Sequence, residues 1–331
     1  MTSQRRRRFT AALLATQLSV MALPHLAQAQ AQSSYPDHPI KFIVSFGPGT
    51  ASDLIARTVG DGMRVSLHQP FVVENRPGAS GFLAATAAAR APADGYTVFL
   101  TSNSTHSINP HIFKTLPYDP IADFTPIGGI ANFPYILAVQ GSLPVKTPQE
   151  LVAYARERPG QMNYAYGTPG HRIPAEAINR LAKLGATGIP YKSSTEALND
   201  VVGGRAQFIV VDYGSARPHL QSGRLRALAV TTARGSGILP NLPTIEQTLG
   251  LRDFDMGAWS GMHGPAGLPR DITQKLSNAL ALAMARTDVQ QQLAAAGGEP
   301  TPLNATAFAE LVRDQLKIWG GKVAEAGIQP E

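Results

Sequence analysis

The chain has 331 residues, with 29 basic and 23 acidic side chains, a formal net charge of +6 and no cysteine. The lack of cysteine excludes disulfide bonds, a thiol nucleophile and attachment of a lipid through a thiol. Stability must therefore come from apolar packing, and a chain of this length is long enough to build two cores.

The N-terminal segment has the order of a secretory signal peptide. Arg5, Arg6, Arg7 and Arg8 form a basic start, residues 9–26 are mainly apolar, and residues 27–29 read Ala-Gln-Ala, a small-x-small cleavage site. Polar residues interrupt the apolar stretch, which makes it a poor membrane anchor. We predict that residues 1–29 are a signal peptide cleaved near Ala29 and that the protein is periplasmic. The residues leave open whether export uses the general secretory or the twin-arginine route.

The charge balance changes when the export segment is set aside. That segment carries four arginines and no acid, so the rest of the chain has 25 basic and 23 acidic residues and a net charge near +2. No cluster of Lys and Arg interleaved with aromatic residues follows it. The sequence therefore gives no indication of nucleic-acid binding.

Beyond the export segment, predicted strands and helices alternate. Residues 40–46 are typical of a buried strand, residues 47–51 form a Gly-Pro turn, and helical spacing begins at Ser52. Similar units recur along the chain, and after Trp259 the pattern is helical. Further strands are predicted at 71–73, 96–100, 135–139, 163–166, 188–191, 208–211 and 227–231. Helices are predicted in the second half of 78–91, from Pro148 with Thr147 as its cap, from Pro174, and at 272–285, 289–296 and 305–326. Polar loops are predicted at 101–107 and 167–173.

This alternation predicts an α/β fold with mostly parallel sheets covered by helices on both faces. In such sheets ligands bind at the carboxyl ends of the strands. No low-complexity linker is present, so we place strand-like crossovers between two lobes near residues 127–134 and 254–264. The predicted division is residues 30–131 in lobe 1, 132–256 in lobe 2, and 257–331 returning to lobe 1.

Sequence motifs for catalysis or cofactor binding are missing. Gly47-x-Gly49 starts like a dinucleotide fingerprint, but Ser52 stands at the third glycine position. There is no phosphate-binding loop, no Gly-x-Ser-x-Gly elbow and no His-Glu-x-x-His motif. Ser104 and His106 are neighbours in one loop, which rarely produces a catalytic dyad. We therefore predict a protein that is not an enzyme and that holds no cofactor and no metal.

Three predicted strand-to-helix loops are rich in Gly, Ser, Thr and Asn, at residues 47–53, 102–106 and 167–172. Such loops expose backbone N–H groups at helix N-termini, which bind anions without a cationic side chain. The alternative is that residues such as Thr50 and Ser52 only cap their own helix. Three loops at corresponding positions favour a site for a small organic anion.

A series of short motifs, in a specific order and spacing, resembles the Bug or TctC-like substrate-binding proteins of tripartite tricarboxylate transporters. The resemblance covers about residues 35–328. It implies a two-lobed, type II-like periplasmic binding fold with a hinged cleft, a monomer that closes on a carboxylate, and integral-membrane transporter subunits as partners. The motifs are Tyr35-Pro36-x-x-Pro39-Ile40, Phe46-x-Pro48-Gly49 leading to Asp53, Val73-Glu74-Asn75-Arg76-Pro77-Gly78-Ala79, Asp94-Gly95-Tyr96-Thr97, Asn103-x-Thr105-His106-x-Ile108-Asn109-Pro110, Leu116-Pro117-Tyr118-Asp119-Pro120, Pro190-Tyr191-Lys192, Gly223-Arg224-Leu225-Arg226-Ala227-Leu228-Ala229 and Leu242-Pro243-Thr244.

The resemblance also implies a set of ligand-binding residues. The sequence departs from the family pattern in the first loop, which lacks a Pro-Pro-Gly-Gly run, and in the second lobe, where Pro169, His171 and Arg172 replace small and hydroxyl residues. We hypothesise that Arg172, with His171, binds a second acidic or polar group of the ligand; the alternative is an ion pair with Glu176. The implied residues are Phe46, Gly47, Gly49, Thr50, Ala51, Ser52, Asp53, Ser102, Asn103, Ser104, Thr105 and His106 in lobe 1, and Tyr166, Thr168, Gly170, His171, Arg172 and Asp212 in lobe 2.

Two other functions compete with transport. A ligand-binding sensor subunit that signals to a receptor needs the same clamshell, so the sequence does not separate it from a transport protein. An exported α/β enzyme is the third possibility, and the missing nucleophile, metal and cofactor motifs count against it.

Overall fold

A computed structural model describes residues 35–331, so the predicted signal peptide lies outside the described residues. Residues 38–331 form one unit, built from two β-sheets and the helices that cover them. The strands are β1 Ile40–Val44, β2 Phe71–Asn75, β3 Thr97–Ser102, β4 Phe124–Phe133, β5 Tyr135–Gln140, β6 Asn163–Tyr166, β7 Thr187–Pro190, β8 Phe208–Asp212, β9 Leu225–Val230, β10 Ala258–Pro265 and β11 Glu299–Leu303.

The helices lie between these strands and at the C-terminal end. A short 3₁₀ turn, Ala79–Gly81, precedes the second helix, and a π-helical turn, Ser104–Ile108, precedes the third. The α-helices are α1 Ala51–Leu67, α2 Phe82–Ala89, α3 Asn109–Ile112, α4 Pro148–Arg156, α5 Pro169–Leu181, α6 Ser194–Val202, α7 Tyr213–Gln221, α8 Ile245–Leu249, α9 Arg270–Met284, α10 Thr287–Ala295 and α11 Ala305–Glu325.

The two sheets define the two lobes. The first lobe contains a six-stranded sheet in the order β11-β4-β10-β3-β1-β2, and the second contains a five-stranded sheet in the order β7-β6-β8-β5-β9. The α/β prediction is confirmed, but the sheets are mixed rather than mostly parallel. β1 is parallel to β2 and β3, whereas β10 is antiparallel to both β3 and β4, and β5 is antiparallel to both β8 and β9.

The chain path between the lobes explains the antiparallel strands. β4 leaves the first sheet and continues after Pro134 as β5, while β10 brings the chain back from the second sheet. The two crossings run in opposite directions, so β4 and β10 must be antiparallel. Thr231 joins the crossings, because its hydroxyl donates to the Met256 carbonyl at 2.8 Å and contacts the Tyr135 carbonyl at 3.3 Å.

The start of α5 was predicted wrongly. The helix begins at Pro169 with Thr168 as its cap, whereas the sequence analysis placed a loop over residues 167–173 and the helix start at Pro174. Thr168-Pro169 is the same start signal as Thr147-Pro148, which was predicted correctly and opens α4. Pro174 lies inside α5 and leaves the Gly170 carbonyl without its helical partner, since proline has no N–H.

Three other segments differ from the predictions. Residues 101 and 102 end β3, and the π-helical turn takes up most of the predicted polar loop. The residues after Trp259 form β10 before any helix starts. β11 was not predicted, because its two prolines argue against a strand; it lies at the edge of the first sheet, where proline is tolerated.

The C-terminal helix packs against both lobes. Phe308 near its start is fully buried and makes an edge contact with Trp259 of β10, with ring centroids 5.7 Å apart. Trp319 and Val323 farther along α11 belong to an apolar core that also contains Tyr164 of the second sheet. Within residues 35–331, no helix has both the length and the apolar character needed to cross a membrane.

Candidate functional site

The first loop is built around the start of α1. The Thr50 hydroxyl donates to the Gly47 carbonyl at 2.8 Å and accepts from the Asp53 N–H at 3.4 Å, so Thr50 caps its own helix. Gly49 has a positive φ of 78°, a conformation that favours glycine. The Phe46 carbonyl accepts from the Asn75 amide at 2.8 Å, which fixes the entry to the loop.

Asp53 places a buried negative charge in the first turn of α1. Its carboxylate accepts from the Gly49 N–H at 2.9 Å and forms an ion pair with Arg57 at 2.9 Å. Burial acts to raise the pKa of Asp53, but the hydrogen bonds from Arg57 and Gly49 hold it below its usual value. The Asp53 carboxylate therefore does not accept from the N–H groups of Ala51 and Ser52. Within residues 35–331, neither of these two N–H groups has an acceptor in the loop or the helix.

The second loop is held by hydrogen bonds within the loop and by one from Tyr118. The Thr105 hydroxyl donates to the Ser102 carbonyl at 3.2 Å and lies 3.1 Å from His106 Nδ1, and the Tyr118 hydroxyl donates to the Thr105 carbonyl at 2.8 Å. Thr105 and His106 are fully buried. Their contacts indicate that these two residues position the loop, leaving Asn103 and Ser104 to face the second lobe.

His106 belongs to a buried pair of histidines. Its ring stacks on that of His263 with centroids 4.8 Å apart, and His263 Nδ1 lies 2.9 Å from the Thr101 hydroxyl. Burial lowers the pKa of His106 to about 3, and burial together with His106 lowers that of His263 well below its usual value. Both rings are therefore neutral near pH 7, and among residues 35–331 the hydroxyls that they contact belong to Thr101 and Thr105.

The second lobe meets this loop through the start of α5. A Cβ atom added to Gly170 would lie 3.2 Å from Ser104 Oγ and 2.6 Å from the Tyr135 hydroxyl, so only glycine fits between them. Burial raises the pKa of Tyr135, and the Asn103 amide acts in the opposite direction. Thr168 caps α5 by accepting from the His171 N–H at 3.3 Å. Among the described residues, the Gly170 N–H is the first-turn donor that neither the cap nor the helix uses.

His171 is held by two neighbours in the second lobe. It is 5% exposed, its Nδ1 lies 3.1 Å from the Ser194 hydroxyl, and its Nε2 lies 3.6 Å from Asp212 Oδ2. Burial lowers its pKa, while the Asp212 charge acts to raise it. The other Asp212 oxygen caps α7 by accepting from the Ser215 N–H at 2.9 Å. His171 and Asp212 thus form one polar group that bridges the starts of α5, α6 and α7.

Arg172 lies over an aromatic ring rather than in an ion pair. Its guanidinium carbon is 5.5 Å from the centroid of the Tyr166 ring. Glu176, the alternative partner considered above, accepts instead from the Tyr164 hydroxyl. In the part of the chain that the structure describes, Arg172 makes no ion pair within 4.0 Å.

Two residues at this contact were missed by the sequence analysis. Tyr135 follows the crossover proline and touches both lobes, and Ser194 follows the Pro190-Tyr191-Lys192 motif and contacts His171. Pro190-Tyr191-Lys192 is one of the motifs of the family resemblance, but neither it nor the crossover proline indicates which neighbour turns towards α5. Within residues 35–331, no three His, Asp or Glu side chains cluster as metal ligands.

Comparison with known proteins agrees with this architecture. BugT of Bordetella pertussis is 30% identical over 313 residues, which cover 93% of this chain and 95% of BugT. The solved structure of R. palustris Rpa4515 with adipate is 31% identical, with a TM-score of 0.85 over 90% of this chain and 100% of that one. MatC from Rhodopseudomonas palustris, solved with bound malate, is 30% identical, with a TM-score of 0.80 over 87% of this chain and 100% of that one.

A family model supplies the identification. The model described as the tripartite tricarboxylate transporter family receptor, TctC, matches residues 55–328, which span both lobes and the C-terminal helix. The relatives are similar over nearly their whole length, and the two lobes with their paired crossovers are the architecture of periplasmic solute-binding proteins. The chain therefore belongs to the tripartite tricarboxylate transporter receptor family, the Bug and TctC-type solute-binding proteins.

Proposed function

We propose that this protein captures a small organic carboxylate in the periplasm for a tripartite transporter. The observation that carries the proposal is a set of neutral donors at two helix starts: the Ala51 and Ser52 N–H groups of α1 and the Gly170 N–H of α5, which have no acceptor among residues 35–331. Two relatives about 30% identical to this chain were solved with adipate and with malate. Both ligands are dicarboxylates, so we place this ligand in the same class.

Neutral donors suffice for the affinity that a solute-binding protein needs. A helix N-terminus contributes about 0.3–1 kcal/mol to anion binding at an exposed site and up to about 2 kcal/mol when partly buried. A hydrogen bond to a charged group contributes about 1.5–3 kcal/mol. Two helix starts and two or three such bonds reach about −8 kcal/mol, which corresponds to a micromolar dissociation constant.

Binding by closure of the two lobes follows from the crossovers. We assign residues 30–131 and 257–331 to the first lobe and 132–256 to the second, with hinges where β4 continues as β5 and where the chain returns to β10. Thr231 ties the two crossings together, which supports a common axis. Hinge closure around a ligand is the usual motion of bilobed binding proteins.

We assign no catalytic activity to the chain. Ser194, His171 and Asp212 have the residue types of a hydrolytic triad, but His171 Nε2 is 3.6 Å from Asp212, which is longer than a hydrogen bond. The donors on the facing lobe suit binding of an anion, and the family is one of receptors. A sensor subunit remains the competing function, since it uses the same clamshell.

The remaining assignments concern export and partners. We propose that residues 1–29 are removed near Ala29, that the mature protein is a periplasmic monomer, and that its macromolecular partners are the integral-membrane transporter subunits. The basic start and the small-x-small site support the first of these. The family match supports the last.

A thermal-shift screen tests the proposal. The protein purified from the periplasm is heated with adipate, malate, other di- and tricarboxylates, monocarboxylates of matched length and a diamine as the cationic control. A dicarboxylate at 100 times its dissociation constant should add about 2.7 kcal/mol of stability and raise the midpoint by several degrees. A protein stabilised only by the diamine, or by no carboxylate, would contradict the proposal.

A further inference from the structure

Two serine hydroxyls at one end of the first sheet have no hydrogen-bond partner among residues 35–331. Ser102 is the last residue of β3, and Ser260 is its register partner in β10. Ser260 is 6% exposed, and the hydroxyl oxygens of both residues are shielded from solvent. Since a buried hydroxyl without a partner is destabilising, the pair is suited to a bound group that supplies acceptors.

Both hydroxyls lie on the face of the sheet that α1 covers. Side chains alternate along a strand, so Ser102 shares a face with Leu100, which pairs with Val44 of β1. Val44 shares that face with Phe42. A Cβ atom added to Gly60 of α1 would lie 3.9 Å from the Phe42 ring, which places α1 over this row of side chains.

The end of α1 nearest to the two serines is its N-terminus. α1 follows β1 after a short loop and runs back along the sheet, so it begins beside the carboxyl ends of β1 and β3. The unused N–H groups of Ala51 and Ser52 lie at this end. The nearby carboxylate of Asp53 is occupied by Gly49 and Arg57. Two N–H groups and two hydroxyls therefore lie at the same end of the sheet and on the same face.

We propose that Ser260 binds the ligand, together with Ser102 and the start of α1, by donating to one carboxylate. The inference rests on the proposed function and adds to it a residue from the return strand. Side chains of register partners in an antiparallel pair lie about 4.5–5.5 Å apart at Cβ, so the two hydroxyls can reach different oxygens of one carboxylate. Because β10 brings the chain back from the second lobe, a ligand held by Ser260 touches the crossover itself.

Alanine variants with a matched control test the inference. Ser260→Ala and Ser102→Ala each remove one proposed donor. Ser45→Ala removes a hydroxyl whose oxygen is likewise shielded from solvent and has no partner among residues 35–331. It lies on the opposite face, because a Cβ atom added to Gly81 would be 3.4 Å from Ser45 Oγ and 2.8 Å from Thr105 Cγ2. Isothermal titration with adipate and with malate gives the affinities, and the thermal midpoint of the ligand-free protein gives the stability.

We expect Ser260→Ala and Ser102→Ala to weaken binding about ten- to a hundredfold, as for a lost hydrogen bond to a charged group. Their ligand-free midpoints should not fall, and Ser45→Ala should bind within twofold of the parent. A parent that binds neither these probes nor other carboxylates would overturn the proposed function. A parent that binds while Ser260→Ala binds equally well, or loses only stability, would overturn the inference alone, since the hydroxyl would then serve the fold.

Discussion

Replacing Gly170 by alanine should weaken ligand binding by forcing the lobes apart. The added Cβ atom would lie 2.6 Å from the Tyr135 hydroxyl and 3.2 Å from Ser104 Oγ, and carbon–oxygen contacts under 3.0 Å essentially never occur. The second contact crosses from one lobe to the other. The variant keeps the N–H of residue 170, so any loss of affinity reports the steric effect of the added methyl group and not the loss of a hydrogen-bond donor.

The expected cost follows from overpacking. Inserting one methyl group into a filled site costs about 1–3 kcal/mol, and 1.36 kcal/mol corresponds to a factor of ten. Because the contact between residue 170 and Ser104 joins the two lobes, the dissociation constant should rise about 5- to 150-fold. The free energy of unfolding without ligand should change less, because the contact with Ser104 is lost when the two lobes separate.

Titration calorimetry with adipate or malate, paired with urea unfolding of the free protein, separates these outcomes. Gly321→Ala is the matched control, since this glycine also lies in a helix and a Cβ atom there meets nothing within 4 Å. Adding Tyr135→Phe to Gly170→Ala should recover part of the affinity by removing the closest atom. An unchanged affinity in Gly170→Ala, or an equal loss of affinity and stability, would refute the reasoning.

Two other predictions concern charge. Arg172→Ala should weaken binding of a dicarboxylate by about 1.5–3 kcal/mol and leave binding of a monocarboxylate of matched length unchanged, because Arg172 has no ion pair in the described residues and is available to the ligand. Glu176→Ala is the control. Equal losses of affinity for both ligands would contradict the prediction. Stability should fall between about pH 6.5 and 5, because His106 has a pKa of about 3 when folded and takes up a proton only on unfolding. The loss should be about 2 kcal/mol at pH 5 from this residue alone, measured by urea unfolding at pH 7.5 and 5. His106→Gln should flatten the profile, and an unchanged slope would show that the loss arises elsewhere.

Local signals in the sequence predicted most of the elements, and their limits explain the errors. Thr147-Pro148 opens α4 as expected, and Thr168-Pro169 opens α5 in the same way. This second start is predicted at Pro174 because proline is favoured at the first helical position, whereas Pro174 lies inside α5. β11 was missed because its prolines lower strand propensity, and only its place at the sheet edge makes them acceptable.

The candidate site was less predictable than the fold because its contacts join distant parts of the chain. Thr50 and Asp53 are four residues or fewer from their partners, so the sequence could offer helix capping by Thr50 as the alternative to an anion site. His171 meets Ser194, 23 residues away, and Asp212 of another strand. Ser260 pairs with Ser102 only because the chain returns through β10. No periodicity or motif reports such pairings.

The two lobes offer a ligand different chemistry, and this difference predicts which lobe determines the choice between ligands. In the first lobe the proposed donors are backbone N–H groups and hydroxyls, and Asp53, the charged residue among the candidates there, is neutralised by Arg57. Donors of this kind hold any carboxylate that reaches them. The second lobe contains His171, Arg172 and Asp212, and we propose that these three side chains distinguish an anionic far end of the ligand from a neutral or donating one. We therefore expect substitutions in the first lobe to change affinity for all ligands alike, and substitutions in the second to change which ligand is preferred.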